Sequence, residues 1–165
     1  MWAVTFFFKK PEKTNLWIVA MKVFGSLTIL IDFCVTLFSD DIFFMNGVIG
    51  LVFLTLSFIL FWASIYSNKK DPLAFAFARF GNDHVVTHGP YKYIRHPFYL
   101  SYTLAWIGSF ISSFHPATLP PIFVMGFLYI RAAVAEERGF ENSSLRESYS
   151  AYKGKTHMFF PRWSK

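Results

Sequence analysis

The chain has 165 residues, 54% of them hydrophobic and 22 of them Phe, with a mean hydropathy of +0.37. Only 16% are charged, against about 25% in ordinary soluble domains, and the apolar residues fall in long blocks, which argues for lipid contact over a packed aqueous core. The net charge of +6 comes from Lys and Arg beside apolar spans, with no aromatic-and-basic groove motif, so membrane anchoring explains it and nucleic acid is not expected as a partner.

At this length one domain, 1–165, is expected. The lone Cys34 lies in an apolar run and excludes both an internal disulfide and a Cys metal cluster. Trp2–Phe8 is apolar but too short for a cleavable signal, and no small-residue cleavage site follows the first long run.

The first predicted span is Leu16–Phe38, long enough to cross about 30 Å of hydrocarbon. Lys22, near its end, can snorkel, whereas Asp32 lies deeper and should face other helices or water. Ile42–Tyr66 carries no charge and is the clearest span. Ser39-Asp40-Asp41 leaves only a tight turn between the two, so 1–66 reads as an N-terminal helical hairpin. A polar cytoplasmic loop, 67–96, follows. Within it Pro72–Phe80 interleaves Phe75, Phe77 and Phe80 with Ala and Arg, as an interfacial segment would.

Pro97–Phe114 and Leu119–Ala135 form a second hairpin, 97–135, each helix near the lower limit of about 17 residues for spanning. Pro97, Pro120 and Pro121 suit first helical turns, where no backbone donor is lost. The tail 136–165 closes the chain. Its Phe140, Leu145, Tyr149 and Tyr152 recur at helical spacing, which predicts an amphipathic segment covering a site at the membrane surface. The fold class is therefore all-α: a bundle of about four transmembrane helices plus a cytoplasmic C-terminal helix. Lys9, Lys10 and Lys13, the 67–96 loop and the tail hold the Lys and Arg that flank the spans, while the other two turns hold none. The positive-inside rule then puts both termini and the loop in the cytoplasm.

Two segments at that cytoplasmic edge concentrate the chemistry. In His88-Gly89-Pro90-Tyr91-Lys92-Tyr93-Ile94-Arg95-His96-Pro97-Phe98-Tyr99, Gly-Pro makes a turn and Pro97 starts a helix, so Arg95 and His96 sit where free backbone donors attract anions. Taken singly, Arg95 could bind lipid phosphate and Tyr91, Tyr93 and Tyr99 could form an aromatic belt. The second segment, Arg131 to Glu137, ends the fourth span with two adjacent carboxylates, Glu136 and Glu137. These oppose the helix dipole, so a compensating cation is expected, either the Arg95–His96 end of the first segment or a cationic ligand. A helix that simply continues into water would also relieve them. His84, His115 and His157 lack ligand spacing, and no metal is expected.

Together with Tyr149-Ser150-Ala151-Tyr152, Thr156 and Phe159-Phe160-Pro161, these two segments resemble the isoprenylcysteine carboxyl methyltransferase and phospholipid methyltransferase family over residues 81–163. Residues 1–80 match it only as generic spans. Arg146-Glu147-Ser148 stands where many members have Gly, and Gly139 is expected to interrupt the helix after the Glu pair. The resemblance implies S-adenosylmethionine at the cytoplasmic face, held by the Arg-His-Pro-x-Tyr segment and the Glu-Glu pair. The implied cofactor-binding residues are His88, Gly89, Pro90, Tyr91, Tyr93, His96, Tyr99 and Glu136. Candidates for catalysis are Arg95 or Arg131, to position a carboxylate acceptor, and Glu137, as base for an amine acceptor. The expected acceptor is lipophilic, an isoprenylcysteine-type carboxylate or a phospholipid amine, and the expected partners are membrane lipids. No Gly-rich Rossmann fingerprint follows a strand, so the soluble methyltransferase architecture is not expected. Two alternatives are an NADPH-dependent reductase resembling membrane sterol reductases, which share a similar hairpin and tail, and a non-enzymatic membrane scaffold.

Overall fold

The computed structural model describes residues 16–38, 44–68 and 85–162. Among these the architecture is helical: α1 (Leu16–Phe38), α2 (Phe44–Ser67), α3 (Pro97–Ser113), α4 (Pro120–Glu141) and a short α5 (Arg146–Lys153). Single 3-10 turns at Gly89–Lys92 and Pro116–Thr118 precede α3 and α4. The expected interfacial segment Pro72–Phe80 and the N-terminal lysines lie outside the described residues.

The prolines act as starters. Pro97 opens α3 behind His96, and Pro120 and Pro121 open α4, positions where a missing N–H breaks no bond. Phe114 ends α3 in the left-handed region at φ 46°, its N–H bonded to the Phe110 carbonyl. Contrary to expectation, Gly139 does not interrupt α4. The helix runs through it to Glu141 and ends on Asn142, whose N–H reaches the Arg138 and Gly139 carbonyls. One glycine weakens a helix by about 1 kcal/mol, too little to break one that is anchored on both sides of the defect.

The tightest pairing joins α2 to α3, across the two expected hairpins. Small residues recur seven apart on α2 (Gly50, Ser57, Ser64) and on α3 (Ser101, Gly108), which places each set along one stripe. A Cβ on Gly50 would stand 2.7 Å from the Gly108 carbonyl oxygen and 2.0 Å from Ser112 Oγ, and one on Gly108 would stand 3.0 Å from the Gly50 carbonyl. Farther along, Ser57 Oγ donates to the Ser101 carbonyl at 2.7 Å. The register runs Gly50 to Gly108 and Ser57 to Ser101, so the two helices are antiparallel with their backbones nearly touching. Where neighbours are as apolar as the surroundings, close backbone approach and interhelical hydrogen bonds are what hold helices together.

On the other side α1 rests against α4. Met21 packs with Met125, Leu128, Tyr129 and Ala132, and Gly25 faces Met125 Cε. Asp32 turns toward Ser109 on α3, as a carboxyl within an apolar helix should. The outward faces are apolar: Leu27, Ile29, Leu30 and Phe33 on α1, Leu51, Phe58 and Ile59 on α2, and Phe123, Phe127 and Ile130 on α4 are all exposed. A surface of this kind is unsuited to water. Among the described residues two stretches are long and apolar enough to cross a membrane, Met45–Ser67 and Pro116–Glu141.

Candidate functional site

The site is built where the chain enters α3. Gly89 has φ 59°, and a Cβ there would stand 2.0 Å from Ser67 Oγ at the end of α2. Both the backbone conformation and the close approach require glycine. The turn it starts bonds Tyr93 and Ile94 N–H to the Pro90 carbonyl and buries Tyr91.

Residues 94–96 are then met by the tail. Arg95 N–H donates to the His157 carbonyl at 2.9 Å and His96 N–H to the Met158 carbonyl at 3.1 Å, an isolated parallel bridge of Ile94 with His157. The tail is fixed at a second point by Tyr152, whose hydroxyl donates to the Tyr91 carbonyl at 2.7 Å. Amphipathic α5 supplies Tyr152 and Tyr149, and Tyr149 stacks on Phe140 of α4 at 4.7 Å. The tail thus packs against the entry to α3 and the end of α4.

Beneath it, the two motif segments neutralise each other. Arg95 Nε donates to Glu137 Oε1 at 2.8 Å, with both side chains nearly buried, and the Arg95 guanidinium also donates to the Thr156 carbonyl. His96 is held between the carboxylates, Nε2 at 3.3 Å from Glu137 and Nδ1 at 3.5 Å from Glu136. Lys153 Nζ reaches Glu137 at 3.1 Å and Glu141 at 2.8 Å. Tyr99 donates its hydroxyl to Glu136 at 2.5 Å and stacks between His96 at 5.6 Å and Tyr129 at 5.4 Å. Consecutive helical residues point about 100° apart. Glu137 therefore faces Arg95 and the tail, while Glu136 faces Tyr99 and keeps 28% of its side chain exposed.

The apolar stretch of α4 ends at Ala135, so these carboxylates lie beyond it. Burial would raise the Glu137 carboxyl, but hydrogen bonds from His96, Arg95 and Lys153 overcome that and hold it down at about 2. Burial would likewise lower His96, yet Glu136 and Glu137 raise it above its ordinary value, which favours the doubly protonated ring. Lys153 is raised by Glu141 and Glu137.

Of the residues singled out in the sequence, Arg95, His96, Tyr99, Glu136 and Glu137 come together here. Tyr91 is buried one layer away, against Ile65, Val86 and Phe98, and Gly89 and Pro90 shape its turn. His88 and Tyr93 do not join the cluster: both are exposed, with Lys92 Nζ 5.7 Å from the Tyr93 ring centroid. Arg131, also exposed, lies five residues before Glu136 and so roughly 140° around α4 from it. Glu137 is engaged by Arg95, His96 and Lys153, and hydrogen bonds from them hold its carboxyl below the ordinary range. Arg95 is likewise engaged by Glu137 and Thr156 and anchors the tail. Sequence reasoning missed Lys153 and Asn68, and it quoted Thr156 with the family motif without giving it a role. Lys153 and Thr156 adjoin the Tyr149–Tyr152 element, but nothing in their spacing indicates that they face Glu137 and Arg95.

Among the described residues no group of three His, Cys, Asp or Glu could hold a metal. No curated protein and no solved structure matches the chain. The family model described as phospholipid methyltransferase matches residues 45–151. The match reaches back through α2, beyond the segment that carries the motifs, and contains Arg95, His96, Tyr99, Glu136 and Glu137. The chain belongs to the phospholipid methyltransferase family.

Proposed function

We propose that the chain moves a methyl group from S-adenosylmethionine to a lipophilic acceptor at the cytoplasmic membrane face. The acceptor class is a phospholipid amine or an isoprenylcysteine-type carboxylate, and the family match favours the first. In this reading 1–165 is one membrane domain of four spans, α1 to α4. The hairpins 1–66 and 97–135 are joined by the cytoplasmic loop 67–96, and the tail 136–165 lies over the cofactor. Both termini are cytoplasmic.

The observation that carries the proposal is the division of labour between the two carboxylates. Glu137 is consumed by Arg95, His96 and Lys153, whereas Glu136 retains an exposed edge beside a buried His and a Tyr. The donor set fits the cofactor. Glu136 offers an anion for its ammonium or ribose hydroxyls. The first turn of α3 has no side-chain cap, leaving backbone donors for its carboxylate. The faces of Tyr99 and its aromatic neighbours suit a sulfonium. When bound, the cofactor supplies an activated methyl on that sulfonium.

The chain's own task is placement and exclusion of water. Arg95 and Glu137 tie the tail down, His96 orients Glu136, and Tyr99 fixes the carboxylate's rotamer through its hydroxyl. Arg131, nearer the hydrocarbon, is proposed to position an anionic group of the acceptor. Tyr91, with the His88–Tyr93 turn, walls the side toward α2. The test is calorimetric titration of detergent-solubilised protein with S-adenosylhomocysteine. Loss of a charge-assisted contact is worth about 1.5–3 kcal/mol, so Glu136→Ala and His96→Ala should each weaken binding by about 10- to 150-fold. Wild-type affinity in both variants, with the helical content intact, overturns the cofactor assignment. Transfer of labelled methyl to phosphatidylethanolamine vesicles, compared with a prenylated cysteine, identifies the acceptor.

A further inference from the structure

Next to the carboxylate cluster, at the end of α2, lies a second buried polar feature. Asn68 is only 6% exposed. Its amide nitrogen donates to the Ser64 carbonyl at 2.6 Å and to the Tyr91 hydroxyl at 2.9 Å, and its Oδ1 has no hydrogen-bond partner. Reversing the amide would set two carbonyl oxygens against each other at the Ser64 contact, so the orientation is fixed by its surroundings. The Tyr91 oxygen accepts from Asn68, and no acceptor among the described residues takes its proton. Among the described residues a buried acceptor without a partner, Asn68 Oδ1, therefore stands beside a buried hydroxyl whose proton no described acceptor takes.

The chemistry of that pair is selective. An ammonium brings only donors and leaves the Tyr91 proton unmet. A phosphate or carboxylate brings only acceptors and would face Asn68 Oδ1 with like polarity. A flat heterocycle with an amino group next to a ring nitrogen satisfies both, the pairing by which amide side chains read adenine. The surroundings suit such a ring: Phe98, Phe61, Trp62 and Tyr102 pack about Tyr91. Tyr102 packs both against the Tyr91 cluster and against that of Tyr99 and Tyr129, so one ring separates this feature from the carboxylate cluster. Gly89, pressed on Ser67, sets the separation between the Tyr91 turn and Asn68.

We infer that Asn68 and Tyr91 form the base-reading subsite of this methyltransferase: Asn68 Oδ1 accepts from the 6-amino group of adenine and the Tyr91 hydroxyl donates to a neighbouring ring nitrogen. The inference rests on the cofactor reading above and adds to it the residues that select the nucleobase. The test is titration of the full chain with S-adenosylhomocysteine and with S-inosylhomocysteine, whose 6-oxo group and ring N–H reverse donor and acceptor. Wild-type protein should prefer the adenosyl compound by about tenfold or more. Tyr91→Phe, which removes only the hydroxyl, and Asn68→Ala should each bring that ratio toward one. Equal binding of both compounds by the wild type, or an undiminished ratio in Tyr91→Phe, overturns the subsite while leaving the cofactor assignment standing. Failure of the wild type to bind the adenosyl compound overturns both.

Discussion

Replacing Glu137 by Gln tests whether the carboxylate pair divides its labour as the geometry indicates. The surroundings lower the Glu137 carboxyl from 4.5 to about 2, equivalent to about 3 kcal/mol of preference for the charged form in the folded state. Because the folded value is the lower one, this stabilisation is complete above 4.5 and disappears as pH falls through about 2. The Gln variant keeps the shape but leaves Arg95, nearly buried, without its counter-ion, so the loss should appear as release of the tail. Of the partners of Glu137 only Lys153 belongs to the tail, at a partly exposed contact worth about 0.5–1 kcal/mol, which corresponds to opening about two- to fivefold more often. Hydrogen exchange of the amides of residues 149–158 should accelerate accordingly, with the α2–α3 amides little changed. Lowering the pH toward 2 should bring wild type and variant together. Tail protection in the variant equal to that of the wild type at neutral pH refutes the assignment of Glu137 as the anchor.

Gly50→Val should separate α2 from α3, because its first carbon alone would stand 2.7 Å from the Gly108 carbonyl. Thermal unfolding in detergent should report a loss of about 1–3 kcal/mol or more. Truncation after Asn142 removes Lys153, Thr156 and the backbone partners of Arg95 and His96; the protein should remain membrane-inserted but lose S-adenosylhomocysteine binding, and undiminished binding would reduce the tail to an anchor. Reporter fusions at Lys165 and near Asp40 should give opposite compartments, with Lys165 cytoplasmic; a C-terminus on the far side rules out the four-span arrangement.

Much of this arrangement is legible in the residues. Pro97, Pro120 and Pro121 mark helix starts because a missing N–H is harmless only there. The order of Arg95-His96-Pro97 and Glu136-Glu137 about a hairpin implies that they meet, since an antiparallel pair brings its first and last turns to one level. Two adjacent carboxylates at an expected helix end make a compensating cation one of two solutions, and the structure supplies both, since α4 also continues past them to Glu141. What the sequence does not reveal is which carboxylate does what. Glu136 and Glu137 are chemically alike, and only the rotation of α4 against α3 turns one inward to Arg95 and leaves the other an open edge. Glu137, a candidate base by composition, is met by Lys153, a residue whose approach depends on how α5 folds back. Asn68 was invisible for a similar reason: a polar residue after an apolar helix ordinarily marks the water boundary, and its burial depends on Gly89 letting the Tyr91 turn come close. Gly139 shows the reverse error, a local signal overruled by packing on both sides.

The pairing of residues 94–96 with 157 and 158 has a consequence for the order in which the molecule becomes competent. The Arg95 guanidinium and its Thr156 partner are 61 positions apart, and all of α3, α4 and α5 is made between them. During synthesis the helices can therefore enter the bilayer and pack while Arg95 and His96 still lack the carbonyls that fix them. A chain interrupted after α4 lacks the tail carbonyls that fix Arg95 and His96. The Arg95–Glu137 cluster is completed only when the emerging tail returns to the point where α3 began, which makes the last fold-back step a check that the preceding helices are present and correctly oriented.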